Sequence, residues 1–360
     1  MDLMSSTIPP NKTPLQELDS STAINLLRYI IALNALFTNG FLLYLFARYK
    51  RYRALRGTQC NLFIAANAAV EFIIGIGLAL RATFELIAMS MSIHSFTHTL
   101  CVWIGSPLTG GFAANQVTIL GLALDRLTAV AWPFTYGKKN KNLIAAIFSF
   151  AFFIFFAAIG VSLWGIDPGT SSQCSMGVNA GPLFATTWSI YAQLTALFVF
   201  GTYITMLCLF YRQSKVLALS MNKITQQQQQ QKPGDIGVIA RNKANQNKEF
   251  QKTQKQIKLT ILVALILLVY SICWALPTAI CVKYLGFLIV SETGHYVLDP
   301  KDLTRINYVT FIQGFITPLG AGINLYIYIW KHAEIRRSAR DTIPFLKQIL
   351  HDKTFTNPNT

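Results

Sequence analysis

The chain has 360 residues, is 52% hydrophobic and only 13% charged, and carries a net charge of +16. Water-soluble domains hold about 25% charged residues, so too few are present to cover a solvent-facing surface. A soluble globular fold is excluded.

Residues 1–23 are polar, without the basic start and short apolar core of a secretory signal. They are expected to form an extracellular tail. Within them Asn11-Lys12-Thr13 is a glycosylation sequon weakened by Pro14. Seven apolar runs follow, at about 24–47, 61–89, 100–124, 143–164, 182–211, 257–282 and 303–330, each near or above the roughly 20 residues that span a bilayer. In lipid each run must satisfy its own backbone, which at this length means a helix. The expected architecture is an all-α integral membrane protein with one seven-helix domain over 24–330. The second run carries Glu71, Arg81 and Glu85, and the seventh is rich in Gly, Thr and Asn. Both are too polar to face lipid all round and should line the bundle interior. The connection 212–256 holds six consecutive glutamines and "KPGDIGVIARNKANQNK", a composition that cannot bury a core and predicts disorder at its centre, with helical extensions at its ends. The tail 331–360 mixes bases and apolar residues. Its first part reads either as a short amphipathic helix on the membrane surface or as a solvated basic segment.

Basic residues decide orientation. The connections after runs one, three and five, together with the tail, hold 25 of the 31 Lys and Arg residues. The amino terminus is therefore expected outside and the carboxyl terminus inside, in a multi-pass protein of the cell membrane. The +16 charge is this topology signal plus attraction to anionic membrane lipid, and nucleic acid is not an expected partner.

Cys101 opens run three, and Arg126 lies 25 residues on, about 37 Å along a helix at 1.5 Å per residue. That length crosses a membrane, so Cys101 is outside if Arg126 is inside. Cys174 shares the oxidising side, and a disulfide between them is expected. The other cysteines have no metal-binding spacing, and no cofactor is expected. The face carrying Arg126 leads back through Leu122, Ile119, Asn115, Phe112 and Leu108. Asn115, Glu71 and Asn39 lie at comparable depth, and a buried carboxylate there calls for partners or a bound cation, or else is a neutral hydrogen-bonded Glu. Run seven presents Asn307, Thr310, Gly314, Thr317, Ala321, Asn324 and Tyr328 as one small, polar stripe. Run six holds "YSICWALP", with Tyr270 and Trp274 one turn apart and Pro277 breaking the hydrogen-bond ladder.

These features, in this order, resemble the rhodopsin-like G-protein-coupled receptors over nearly the whole chain. "LDRLTAVAWPFTY" is similar to that family's Asp-Arg-Tyr region with its following Pro133 and Tyr136, although Leu127 stands where an aromatic is usual. "NLYIY" resembles Asn-Pro-x-x-Tyr, with Leu325 in place of the proline, and "CWALP" resembles Cys-Trp-x-Pro with one residue inserted. Glu71 stands where an aspartate is usual, and run four lacks the usual tryptophan. The divergence resembles that of nematode chemosensory receptors. What the resemblance implies is a receptor partnered with an extracellular small-molecule or peptide ligand and a heterotrimeric G protein. Asp125, Arg126, Tyr136, Asn324 and Tyr328 would form the switch at the inner end, and Tyr270, Trp274 and Pro277 the transmission point.

The ligand pocket is expected between the outer halves of the helices. Leu108 occupies the position where amine receptors carry an aspartate, which disfavours amines; Pro318 stands near an opsin's retinal lysine, which disfavours light reception. Arg81 and Glu85, spaced i,i+4, either pair with each other or read a charged ligand. Thr109, Phe112, Trp274 and Gln313 are further candidate lining residues. The competing reading is a seven-helix transporter or ligand-gated channel, but no inverted repeat is visible. An intramembrane enzyme is not expected, because His94, His98, His295, His332 and His351 all fall in or near loops.

Overall fold

A computed structural model describes residues 14–48, 55, 59–93, 95–132, 136, 141–171, 174–230, 265, 268–277 and 300–349. Asn11, Pro133, the loop beyond Gln230 and most of the sixth apolar run lie outside the described residues, as do the side chains of Asn307 and Thr310.

The helices are α1 (Pro14–Asp19), α2 (Thr22–Ala47), α3 (Gln59–Ser90), α4 (His98–Ala131), α5 (Lys141–Leu163), α6 (Met176–Asn179), α7 (Pro182–Gln230), α8 (Pro300–Lys331), α9 (Ala333–Thr342) and α10 (Pro344–Ile349). Part of the sixth run is helical over 268–277, with a π turn at Ser271–Ala275. Two short strands, β1 (Phe96–Thr97) and β2 (Thr170–Ser171), pair antiparallel beside the Cys101–Cys174 disulfide. Among the described residues five helical stretches are long and apolar enough to cross a membrane: Thr22–Ala47, Gln59–Ser90, Asn142–Leu163, Ile190–Leu209 and Phe311–Lys331. The long α4 is not one of them, because it is the central helix and carries polar and small residues. It packs on α3, α5 and α7, and most of its residues are buried. The ring closes through α7, the 268–277 segment and α8 back onto α2 and α3.

Local chemistry explains several boundaries. Ser21 caps α2, its hydroxyl accepting from the Ile24 amide at 3.3 Å. Pro107, inside α4, has no N–H for the carbonyl of Trp103; the Ser106 hydroxyl donates to that carbonyl at 2.8 Å. The helix α7 continues through the glutamine run as far as Gln230, because an unbranched polar side chain is a good helix former. Glycines set the closest approach in the bundle. A Cβ on Gly77 of α3 would lie 2.5 Å from the Leu108 backbone nitrogen of α4, and one on Gly111 would lie 2.7 Å from the Ile74 side chain.

At the end opposite the disulfide, α8 turns into α9 at His332. The short α9 is amphipathic and buries Ile335 and Ala339 in the main apolar cluster with Leu42, Leu45, Phe46 and Tyr328, so the first part of the tail is a short helix whose apolar face packs on the bundle itself. His332 caps α9: Nδ1 accepts from the Ile335 amide at 3.4 Å, leaving Nε2–H to donate to Asn61 Oδ1 at 3.0 Å. Asn61 in turn donates to Glu334 at 3.1 Å. Burial, with Arg126 and Arg336 nearby, pushes the His332 imidazolium down to about pKa 4. The neutral ring is thus built into the cap.

Two outcomes are expected. Gly77→Ala should destabilise the protein by about 1–3 kcal/mol or more, since the obstructing atoms are backbone, whereas Gly160→Ala, where a Cβ meets nothing within 4 Å, should be neutral or better; thermal unfolding in detergent measures both. The His332 pKa lies below its ordinary value of 6.5, so the cap's contribution is complete above pH 6.5 and is lost as pH falls toward 4. A spin label at exposed Arg337 should become mobile across that window, and His332→Asn should remove the pH dependence.

Candidate functional site

Three linked groups run down the bundle axis. At the α9 end of α4, Asp125 and Arg126 are fully or almost fully buried, at 0% and 4% exposed. Asp125 Oδ2 accepts from both Arg126 Nε, at 2.9 Å, and Nη2. Tyr136, beyond the helix end, completes the cluster: its hydroxyl donates to the Asp125 carboxylate at 3.0 Å, accepts from Arg126 Nη2, and its ring centroid lies 5.4 Å from the guanidinium carbon. Burial pushes the Tyr136 hydroxyl up from its ordinary range, keeping it a neutral donor. A buried arginine stripped of its partner costs about 3–5 kcal/mol, so Arg126 is held where Asp125 and Tyr136 put it. The usual aromatic at Leu127 is missing, but the tyrosine ten residues on from Arg126 supplies a phenol at the pair.

Further along the axis, Glu71 Oε1 accepts from Asn67 at 2.6 Å and from Asn324 of α8. Asn67 passes the chain on to Thr118 of α4, whose hydroxyl donates to it at 2.9 Å. Glu71, Asn115, Gln116, Asn324, Tyr270 and Trp274 line one cavity. About 30 Å³ of it is open to the centre of a water molecule, room for roughly two waters at about 10–15 Å³ each. Glu71 Oε2, Asn115 Oδ1, Asn324 Oδ1, the Tyr270 hydroxyl and both Gln116 amide atoms are buried without a partner among the described residues. Such atoms call for water, a proton or a cation. Asn39 is placed differently from expectation. It donates to the backbone carbonyls of Ala35, at 3.0 Å, and Ala321, at 3.2 Å, tying α2 to α8. Among the described residues no group of three or more His, Cys, Asp or Glu could hold a metal.

The same cavity is roofed by aromatics. Trp274 packs against Phe112 of α4 at 5.6 Å and Trp188 of α7 at 5.8 Å between ring centroids. Trp274 sits in the π turn, which accounts for the inserted residue in "CWALP": a π turn absorbs one extra residue into a helix. Pro277 is buried and has no N–H for the carbonyl of Cys273 four residues back. Thr317 of α8 donates its hydroxyl to that carbonyl at 3.0 Å. Tyr328, one turn beyond Asn324, is buried in the main cluster, its hydroxyl without a partner among the described residues.

At the other end of the bundle, Cys101 and Cys174 form the expected disulfide. With Arg81, Phe84, Ile104, Gly105, Leu108 and Met176 they line a second, smaller cavity. The proposed ligand residues are therefore divided. Arg81 belongs to this outer cavity, Phe112 and Trp274 to the inner one. Thr109 and Glu85 are buried and Gln313 is half-buried, none of them lining either cavity. The expected Arg81–Glu85 pair is not among the described ion pairs. Arg81 instead bonds Asp19 at 3.2 Å, and Asp19 also pairs with Arg28. A partner 62 residues away wins because α1 folds back over the helix ends. Asp19 and Arg28 were missed in the sequence, although an arginine inside the first apolar run was itself a signal. Asn67, four residues before Glu71 and so on its face, was a second one.

Thr317→Val keeps the shape of α8 while removing the donor to Cys273. The variant should lose about 0.5–1.5 kcal/mol, and hydrogen exchange should rise in 268–277 more than in α3.

A family model described as the serpentine type 7TM GPCR chemoreceptor Srsx matches residues 32–343. No curated protein matches the chain. The matched stretch includes the disulfide, the Asp125–Arg126–Tyr136 cluster, the Glu71 cavity and the π turn, and it agrees with the resemblance to nematode-type chemosensory receptors and to no enzyme family. The chain belongs to the Srsx family of serpentine seven-transmembrane chemoreceptors.

Proposed function

We propose that the protein is a ligand-activated receptor of the cell membrane, with its amino terminus outside, that passes an extracellular small-molecule or peptide signal to a heterotrimeric G protein. The observation that carries this reading is the buried Asp125–Arg126–Tyr136 cluster. An arginine paired inside the bundle, at the end where basic connections gather, is a charge that a conformational change can release. Receptor activation is then a two-state equilibrium biased by a ligand through its differential affinity. In the resting state Asp125 and Tyr136 hold Arg126. When the 268–277 helix moves about its π turn and Pro277, Arg126 turns toward the opening cleft, where a G protein binds.

Trp274 and Tyr270 transmit the movement, since Trp274 touches α4 through Phe112 and α7 through Trp188. Asn324 and Tyr328 rearrange on α8. The Glu71 cavity with Asn115 serves as an interior polar or ion pocket whose hydration differs between the two states. Asn39 keeps α2 and α8 in register through that change. The outer helix halves take the ligand, with Arg81 and the outer cavity as the entry. Glu85, Thr109 and Gln313 act behind that surface as supports for the lining residues. The connection 212–256 and the tail after Lys331 lie on the G-protein side. The transporter or channel reading draws no support from the family assignment.

The experiment is nucleotide exchange on a mixture of purified G-protein heterotrimers by the full chain in lipid nanodiscs. Asp125→Asn should raise ligand-independent exchange about fivefold or more, and Arg126→Ala should abolish it. Exchange equal to empty nanodiscs in every variant, accompanied by ion flux in liposomes, would sink the receptor reading.

A further inference from the structure

Two arginines inside the bundle share one carboxylate that comes from outside it. Arg28 of α2 is 3% exposed and Asp19 is 4% exposed. Asp19 uses one carboxylate oxygen for each arginine: Oδ1 accepts from Arg28 Nη2, and Oδ2 accepts from Arg81 Nη2 of α3 at 3.2 Å. Arg28 also donates to the Asp19 backbone carbonyl at 3.1 Å and to Asn25 at 2.9 Å. The guanidinium carbon lies over Phe315 and Phe311 of α8, 5.0 and 5.9 Å from the ring centroids. Asn25 and the two phenyl rings of α8 hold Arg28 independently of Asp19.

The occupant is less firmly held than the site. Asp19 ends the six-residue α1, which rests on α2 and α8. The residue before it, Leu18, is 44% exposed. Glu85, also buried, stands within electrostatic reach of Arg28. With Asp19 in place two cations face two carboxylates; with Asp19 withdrawn one positive charge is in excess. Arg81 Nε is buried and has no partner among the described residues, so a donor is left over even in the closed arrangement. Arg81 also reaches into the outer cavity, whose other walls are Phe84, Ile104, Leu108 and Met176 beside the disulfide.

We infer that Arg28 and Arg81 form a carboxylate-binding site in which Asp19 is a built-in occupant, and that the protein's ligand is a small molecule bearing a carboxylate and an apolar body. The ligand's carboxylate takes the place of Asp19 within reach of Arg81 Nε, and its apolar part widens the outer cavity. As it stands that cavity has about 20 Å³ open to the centre of a water molecule, room for about one or two waters. The displacement frees α1 from α2 and α8. An amine is repelled by two arginines and a neutral ligand gains hydrogen bonds but no charge pairing, so the site also discriminates against them. The inference deepens the receptor reading by naming the ligand class.

The test uses the full chain in nanodiscs without any G protein, with phenylacetate as probe and phenylacetamide as its uncharged counterpart. Binding is followed by saturation-transfer nuclear magnetic resonance. Asp19→Asn removes the competing carboxylate and keeps the shape. The variant should bind phenylacetate about tenfold more tightly than the wild type, because the neutral amide side chain is displaced more easily than the carboxylate and the competent state is more populated. Phenylacetamide should be weak and equal in both, and adding Arg81→Gln should cancel the gain. If the two probes respond alike, or Asp19→Asn does not tighten phenylacetate binding, the inference is overturned. Folding is checked with Asp19→Ala, whose lowered melting temperature should be restored by acetate but not by chloride at equal ionic strength; no acetate-specific recovery also overturns it. Carboxylate binding in a protein that never drives nucleotide exchange would overturn the receptor reading alone.

Discussion

A charge that cannot reach water must be answered inside the bundle, and this requirement organises the molecule. Three polar assemblies meet it at three depths: Asp19 between Arg28 and Arg81, Glu71 among Asn67 and Asn324, and Asp125 with Arg126 and Tyr136. The first two join elements distant in sequence, and the third ties the end of α4 to the connection that follows it. The apolar packing between them is permissive in lipid, where hydrocarbon against helix differs little from helix against helix. Polar partners therefore decide which helices sit side by side.

The backbone obeys the same rule. Two carbonyls that prolines leave without a donor are met by side chains, Ser106 serving Trp103 and Thr317 serving Cys273, and Asn39 donates to the Ala321 carbonyl at the seam between α2 and α8. The Thr317 bond has a mechanical meaning, because it lies across the pivot at Pro277. A helix that bends there must keep or exchange that bond, so the bend is coupled to α8. The π turn places Trp274 against both α4 and α7 at the same point. The inserted residue in "CWALP" thus costs the motif little, since the helix absorbs it one turn before the proline.

The polar assemblies also differ in how complete they are. The Asp125 cluster is closed, with both charges and the phenol satisfied by one another. The Glu71 cavity is open, with buried amide, hydroxyl and carboxylate atoms turned into a space that takes about two waters. The Asp19 cluster lies between these cases, complete except for Arg81 Nε. A closed cluster suits a latch, an open one suits a solvated hinge region, and one nearly complete with a detachable member suits exchange of that member for a ligand.

Much of this was legible in the residues. Run lengths located α2, α3, α5 and α8 to within a few residues, because a bilayer imposes length and apolarity without reference to neighbours. The disulfide followed from placing two cysteines on one side, and the stripe Thr317, Ala321, Asn324 and Tyr328 followed from helical periodicity. Pairing was less legible. Arg81 and Glu85 satisfy every local rule for an i,i+4 pair, yet Arg81 bonds Asp19, since α1 lays a carboxylate over the helix ends and local spacing cannot report that return. Asn39 shares the depth of Glu71 but points to α8, because rotation about a helix axis, not depth, decides which neighbour a side chain meets. Sequence by itself therefore determined the helices, their polar faces and the residue types at each end of the bundle. Only the tertiary structure decided which polar group answers which, because that depends on how the helices turn and pack against one another.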